Sequence, residues 1–245
     1  MEAHEYETMA RVEQSHPWFV NRRRLVRMLV RRFGPQVKRP RILDAGSGTG
    51  VNLADYRELG RAAGIELDRA AAAISVRRGN DAVIVGDLCR VPFRDASFDV
   101  VISTDVIEHI PDDVSALLEL RRVLDPNGLL FVTTPAYSWA YSSHDRYLHH
   151  VRRYDFAPLM ETFRRAQLRT LHASRYNVLL AAPVAAARWL VDRKSQGEPN
   201  GSDVGRPLPR VAVPALEFLW HVEAAVAARM SWPVGLTHVA VLRRA

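Results

Sequence analysis

Cysteine is nearly absent. Cys89 is the one thiol in 245 residues, which excludes an intrachain disulfide and any Cys-x-x-Cys metal or redox pair. Long apolar runs are missing too. The longest uncharged stretch, Tyr176 to Ala187, is interrupted by Pro183, and a membrane-spanning helix needs ~20 apolar residues. That segment is too short to span a bilayer, although it suits an interface or the wall of a lipid site. The opening Met1-Glu2-Ala3-His4-Glu5-Tyr6-Glu7 is acidic and polar, without the cationic and then apolar layout of a signal peptide. A cytoplasmic location, with at most peripheral membrane contact, is the expectation. Acidic residues are in deficit, 27 against 34 basic, and the net charge is +7. The excess crowds into Arg22, Arg23, Arg24, Arg27, Arg31, Arg32, Lys38, Arg39 and Arg41. Such a field attracts phosphates, anionic lipid or acidic substrates, and it serves as readily as a solvated helix face.

What is present reads as one α/β domain with an elaboration. Residues 1–20 read as an irregular arm ending in His16-Pro17-Trp18-Phe19. Residues 21–33 read as a helix with Leu25, Met28, Leu29 and Phe33 on one face, stopped by Gly34-Pro35. From Arg41, short apolar strands alternate with helical segments. Strands are expected at 41–45, 62–66, 82–85, 99–103 and 129–134, and helices near 51–59, 69–78 and 114–123. That alternation implies parallel strands with helices on both faces. Pro126-Asn127-Gly128 marks a turn before the fifth strand. Tyr137–Tyr154 reads as a loop over the ligand edge, followed by a helix at 156–165 and a sixth strand at 167–174. Residues 176–192 read as helical, 194–210 as a flexible connection, 215–228 as a helix and 236–242 as a closing strand. The division is an arm and covering helix over 1–40, a core over 41–175, a helical insertion over 176–235 and the closing strand over 236–245.

The segment Ile42-Leu43-Asp44-Ala45-Gly46-Ser47-Gly48-Thr49-Gly50-Val51 is an apolar strand running into a glycine turn ahead of a helix. Glycines allow a tight turn and close approach of a ligand to the main chain. A dinucleotide fold carries G-x-G-x-x-G. Here the glycines fall at 46, 48 and 50, and Asp44 stands where a nicotinamide fold carries an apolar residue, which disfavours hydride chemistry. Glu66 ends the second strand, where a carboxylate can accept from both hydroxyls of a ribose. Asp87 ends the third, where it can accept from an adenine amino group. Each acid alone is an ordinary helix cap; three acidic strand ends in order are hard to assign to caps.

Residues 41–134 resemble the core of the class I S-adenosylmethionine-dependent methyltransferases, in the broad group that acts on small molecules and lipids. Asp44–Gly50 matches the first motif of that family. The resemblance implies that Asp44 faces the methionine amino group, with Ala45, Gly46, Ser47, Gly48 and Gly50 lining the cofactor. Glu66 with Leu67 matches the ribose-binding position, and Asp87 with Leu88 the adenine-binding pair. Phe98–His109 matches the fourth-strand motif, so that Ser103, Thr104 and Asp105 lie near the cofactor. The implied fold is a Rossmann-like, doubly wound and mostly parallel seven-stranded sheet with the last strand antiparallel and a helical insertion before it. The implied cofactor is S-adenosyl-L-methionine. No metal is expected.

A sulfonium methyl is already activated, so such an enzyme chiefly aligns the acceptor, and a hydroxyl acceptor gains from a general base, most often histidine. The candidates are His109, after the fourth strand, and His150, within His150-Val151-Arg152-Arg153-Tyr154, which resembles an element of some family members. Trp18, Tyr137, His149, Arg152, Arg153 and Tyr154 are candidate acceptor contacts. For the arginines, fixing the loop is at least as good a reading. The expected reaction is methyl transfer to a hydroxyl of a sugar, lipid-linked intermediate or secondary metabolite, the acceptor being anionic or lipid-linked if the basic residues serve it. Two other readings are an RNA methyltransferase and a non-catalytic binding protein. The first lacks an Asn/Asp-Pro-Pro-aromatic element and an appended RNA module. The second is opposed by the intact glycine turn and both nucleoside carboxylates. Monomer and homodimer both remain open.

Overall fold

The computed structural model describes residues 3–178 and 213–245. Its centre is strand β1, Arg41–Ala45, in which Ile42, Leu43, Asp44 and Ala45 are all buried. A strand covered on both faces is expected to be apolar along its buried length, and Asp44 is the exception here. Around it lie β2 (Arg61–Glu66), β3 (Val83–Val85), β4 (Phe98–Thr104), β5 (Leu124–Pro135), β6 (Leu168–Tyr176) and β7 (Thr237–Arg244), in the order β3-β2-β1-β4-β5-β7-β6. Strands β1 to β5 pair in parallel, and β7 runs antiparallel to both β5 and β6. This is the seven-stranded arrangement expected from the sequence.

Alternate residues of each strand serve opposite layers. Leu43, Val101, Leu130 and Leu242 join Leu117 and Leu120 of α5 (Asp113–Val123) and Leu159 and Phe163 of α7 (Phe156–Arg165). On the other face, Ile42, Val100, Phe131 and Val241 meet α2 (Pro17–Phe33), Tyr56 of α3 (Val51–Arg57), and Ala224 and Ala228 of the helix Val213–Arg229, here α8. Leu25 and Leu29 of α2 are wholly buried one turn apart, each stabilising the fold by ~2 kcal/mol. Two more helices, α4 (Arg69–Arg77) and α6 (Ser143–Tyr147), complete the described set.

Four features differ from the sequence reading, the first being that the expected loop over 137–154 contains α6. The irregular arm is instead a helix, α1 (Ala3–Val12), whose Tyr6 packs on Ala71 and Ile74. Helix α2 starts at Pro17, because proline fits a first helical position and His16 Nδ1 accepts from Trp18 N at 3.3 Å. Pro126–Gly128 lies within β5 rather than before it. The partner register jumps from Phe98↔Leu124 to Val100↔Leu129, so the turn residues form a bulge that leaves the strand continuous. The expected helix over 176–192 falls almost wholly outside the described residues, since Tyr176 still belongs to β6. The expected connection over 194–210 lies outside them entirely. Among the described residues no helix is long and apolar enough to cross a membrane.

Candidate active site

The strand order reverses between β1 and β4. The crevice at the carboxyl ends of these two strands is where open α/β sheets take ligands. At its base sits Asp44, with no solvent exposure and no protein partner for either carboxylate oxygen. Burial raises its pKa to about 7 against the opposing charge of Arg22, and Glu66 adds to the rise. Ser47 Oγ, Tyr56 Oη and Ser103 Oγ, carried by the glycine turn, α3 and β4, are likewise buried without partners. A buried polar group without a protein partner asks for an explanation, and a ligand in the crevice supplies one for Asp44.

The glycine turn is shaped by contacts. Gly46, Gly48 and Gly50 all have positive φ, at 81°, 54° and 78°. A Cβ at Gly46 would lie 2.4 Å from Val106 Cγ2, and one at Gly50 1.9 Å from Ser75 Oγ, whereas one at Gly48 would meet nothing within 4 Å. The outer glycines are therefore packed, and the middle one faces open space. The amides of Gly46 and Ser47 donate to Ile65 O, and that of Gly48 donates to Glu66 Oε2 at 2.8 Å. Glu66 Oε1 accepts from Asp68 N at 2.9 Å. Burial raises the Glu66 pKa against these two amide bonds. Leu67 beside it is 69% exposed. Asp87 is exposed and accepts from Cys89 N at 2.8 Å, while Leu88 turns into the core. Ala45 and Thr104 are buried at the strand ends.

Two elements close over this crevice, and their site residues escaped the sequence reading. From α2, Arg22 reaches Asp105 Oδ2 at 2.5 Å. Burial opposes its charge, but Asp105 outweighs that and raises its pKa. Asp105 has φ +54° and also accepts from Thr133 Oγ1 at 2.9 Å. After α1, Glu13 is buried against Thr49 Oγ1 and the Arg78 guanidinium. Arg22 is one arginine in a crowded helix and Glu13 one acid in a polar segment, so neither carries a local pattern.

The two expected histidines meet beyond β4. His109 ends the short turn Ile107–His109, and its ring stands edge-on to that of His150, with centroids 4.6 Å apart. His150 Nδ1 lies 2.7 Å from Asp145 Oδ1, and Arg153 Nε donates to the same oxygen at 2.8 Å. Burial works against the Asp145 charge, yet His150 and Arg153 outweigh it and hold the carboxyl below its usual range. Burial, aided by His150, lowers the His109 pKa to about 4. Glu108, which with His109 ends the fourth-strand motif and by the resemblance belongs to the cofactor wall, is fully buried here. Its Oε2 accepts from Thr134 Oγ1 at 3.0 Å, and Oε1 has no partner. Burial and the charge of Asp105 raise its pKa well above the carboxylate range.

The other expected acceptor contacts hold the loop together. Arg152 donates to Asp113 Oδ2 and to Pro111 O, and Tyr154 Oη donates to Asp113 Oδ2 at 2.6 Å. Arg153 is buried on Asp145. Tyr137, at φ +66°, donates its amide to Tyr154 O and lies under the Arg175 guanidinium. Trp18 is half-buried in the first turn of α2, and His149 is exposed at φ +57°.

A family model described as a methyltransferase domain matches residues 43–132. An S-adenosylmethionine-dependent methyltransferase of Mycolicibacterium smegmatis is 37% identical over 98 residues, which are 38% of this chain and 37% of that protein. A malonyl-[acyl-carrier protein] O-methyltransferase of Serratia marcescens is 37% identical over 98 residues, 39% of this chain and 38% of that one. The chain thus spans about two fifths of the length of the curated relatives it matches. An S-adenosylmethionine-dependent methyltransferase structure from Mesorhizobium loti superposes with a TM-score of 0.60 at 15% identity, covering 95% of this chain and all of that one, and so shares the fold. With Asp44, the glycine turn and Glu66 arranged at the switch point, residues 43–132 form a methyltransferase domain similar to those of S-adenosylmethionine-dependent methyltransferases.

Proposed function

We propose that the protein transfers a methyl group from S-adenosylmethionine to a hydroxyl oxygen of a small-molecule acceptor, such as a sugar, lipid-linked intermediate or secondary metabolite. The observation that carries this reading is the fully buried Asp44 carboxylate without a partner, at the carboxyl end of β1 beside the switch point. An ammonium group seated there would supply the missing countercharge. The residues present fit the cofactor. Asp44 takes the amino group, the open face of Gly48 admits the chain of the ligand, Glu66 accepts from the ribose hydroxyls, and Leu67 and Asp87 flank the base. When bound, S-adenosylmethionine supplies a methyl already activated on a sulfonium.

The chain's own work is then to seal, orient and activate. Arg22 on Asp105 and Glu13 on Thr49 draw the first two helices over the crevice and exclude water. The acceptor oxygen is activated at the His109–His150 pair, beyond the end of β4. The simplest activation is acceptance of the hydroxyl proton at His150 Nε2, since Asp145 occupies Nδ1. An oxygen acceptor agrees with the O-methyltransferase named among the similar proteins.

Calorimetric titration of S-adenosylhomocysteine into the chain, with Glu66→Ala and Asp87→Ala alongside, tests the reading. Micromolar binding weakened ~10-fold or more by each substitution is expected, the loss of one charge-assisted hydrogen bond. A folded wild-type chain that binds nothing would end the methyltransferase proposal.

A further inference from the structure

Glu108, His109 and His150 each offer a ligand atom, and the three atoms lie within 4.8 Å of one another. We propose that these side chains form a binding site for a divalent first-row transition-metal ion, leaving an open position for an oxygen of the acceptor. Proximity alone would not carry this. Glu108 is a carboxylate with no solvent exposure and a bare Oε1, an arrangement that costs free energy unless a cation or proton fills it.

Each imidazole has a hydrogen-bond partner in the protein. Asp145 holds His150 by Nδ1, which leaves Nε2 for a ligand. The backbone of His149 hydrogen-bonds His109. A carboxylate or a carbonyl behind each histidine is the arrangement that fixes ring orientation in metal sites. The frame is rigid as well. Val151 N donates to Glu108 O at 2.8 Å, tying the loop to the turn, and Asp145 is itself held by Ser142 N and Arg153 Nε. Two imidazole nitrogens and one carboxylate oxygen suit Zn²⁺, Mn²⁺, Fe²⁺ or Co²⁺, whereas Mg²⁺ prefers an all-oxygen shell. With an ion bound, both imidazoles are ligands, and activation of the acceptor passes from proton acceptance by His150 to polarisation by the ion. Ion binding rests on the three side chains alone. Its part in holding the acceptor rests on the methyltransferase reading.

The test is titration of Zn²⁺ into the chelator-stripped full chain by calorimetry, with Co²⁺ absorption as a spectroscopic check. One equivalent is expected to bind the wild type, with affinity reduced ~10-fold or more by Glu108→Gln, His109→Ala or His150→Ala. His149→Asn, which keeps the backbone carbonyl and suits positive φ, is expected to bind as the wild type does. Circular dichroism shows whether each variant is folded, and His109→Ala, less buried than Glu108→Gln, carries the test should the latter unfold. Undiminished Zn²⁺ binding by a folded His109→Ala/His150→Ala chain would place the ion on other histidines and overturn the site, as would no binding to the wild type. S-adenosylhomocysteine titrated into the same samples separates the two proposals. Zinc without nucleoside binding keeps the ion site and sinks the methyltransferase reading, and the reverse outcome removes the ion site alone.

Discussion

At the scale of single residues, Asp44 works against the fold that contains it. Buried beside Arg22, Glu66 and Tyr56, it keeps its proton to about pH 7 in the folded chain, against 3.8 for the free side chain. The folded state therefore binds more protons across that window, and stability falls as pH rises through it. Above pH 7 the ionised carboxylate lacks a partner, so Asp44→Asn should raise the unfolding free energy at pH 8 by ~1–3 kcal/mol while abolishing cofactor binding. Urea unfolding at pH 8 and at pH 5 measures this, and a gain of equal size at both would contradict it. The affinity of the wild type for S-adenosylhomocysteine should level off from pH 7 until the ligand ammonium itself deprotonates, at ~8 or above. Below pH 7, where a proton competes with the ligand ammonium, affinity should fall by up to ~10-fold per pH unit.

At the scale of elements, the sequence gives the α/β core almost residue by residue, because its signals are local: an apolar run, an acidic strand end, a glycine turn. Asp44, Glu66 and the glycines were legible for that reason. Arg22, Glu13 and Asp145 were not, since what distinguishes them is a partner 83, 36 and 5 residues away in a shape only the fold supplies. The N-terminal segment reads as an irregular arm up to Phe19, whereas Pro17 begins α2. Glu13, just after α1, ties that helix to Thr49 in the glycine turn, beside the packing of Tyr6 on α4. Glu13→Ala leaves the Arg78 guanidinium short of its acid and should lower stability by ~1–3 kcal/mol in urea unfolding. A loss below ~0.5 kcal/mol, the scale of an exposed pair, would mean that the helix does not rest there.

At the scale of the whole molecule, the basic excess near the N-terminus is largely spent internally. Arg22, Arg23 and Arg27 pair with Asp105, Asp55 and Glu58, and Arg32 donates to Ala228 O. Net charge thus overstates the patch left for an anionic partner, which weakens the case for nucleic acid. The apolar surface that does remain exposed is concentrated differently, at Phe218, Leu219 and Val222 on α8 and at Met230 and Trp232 just after it. The position of β7 between β5 and β6 has its own consequence. Deleting residues 237–245 strips both neighbours of their hydrogen-bond partner, and such a chain should be recovered aggregated, as a sedimentation assay would show; a soluble truncated chain that still binds S-adenosylhomocysteine would contradict this. During synthesis the same geometry imposes a wait. β5 leaves the ribosome with one edge unsatisfied, and some hundred residues must follow before its partner arrives, at the ~5–20 residues per second of translation. For those seconds the nascent chain carries two open strand edges, and its yield in a cell depends on what shields them.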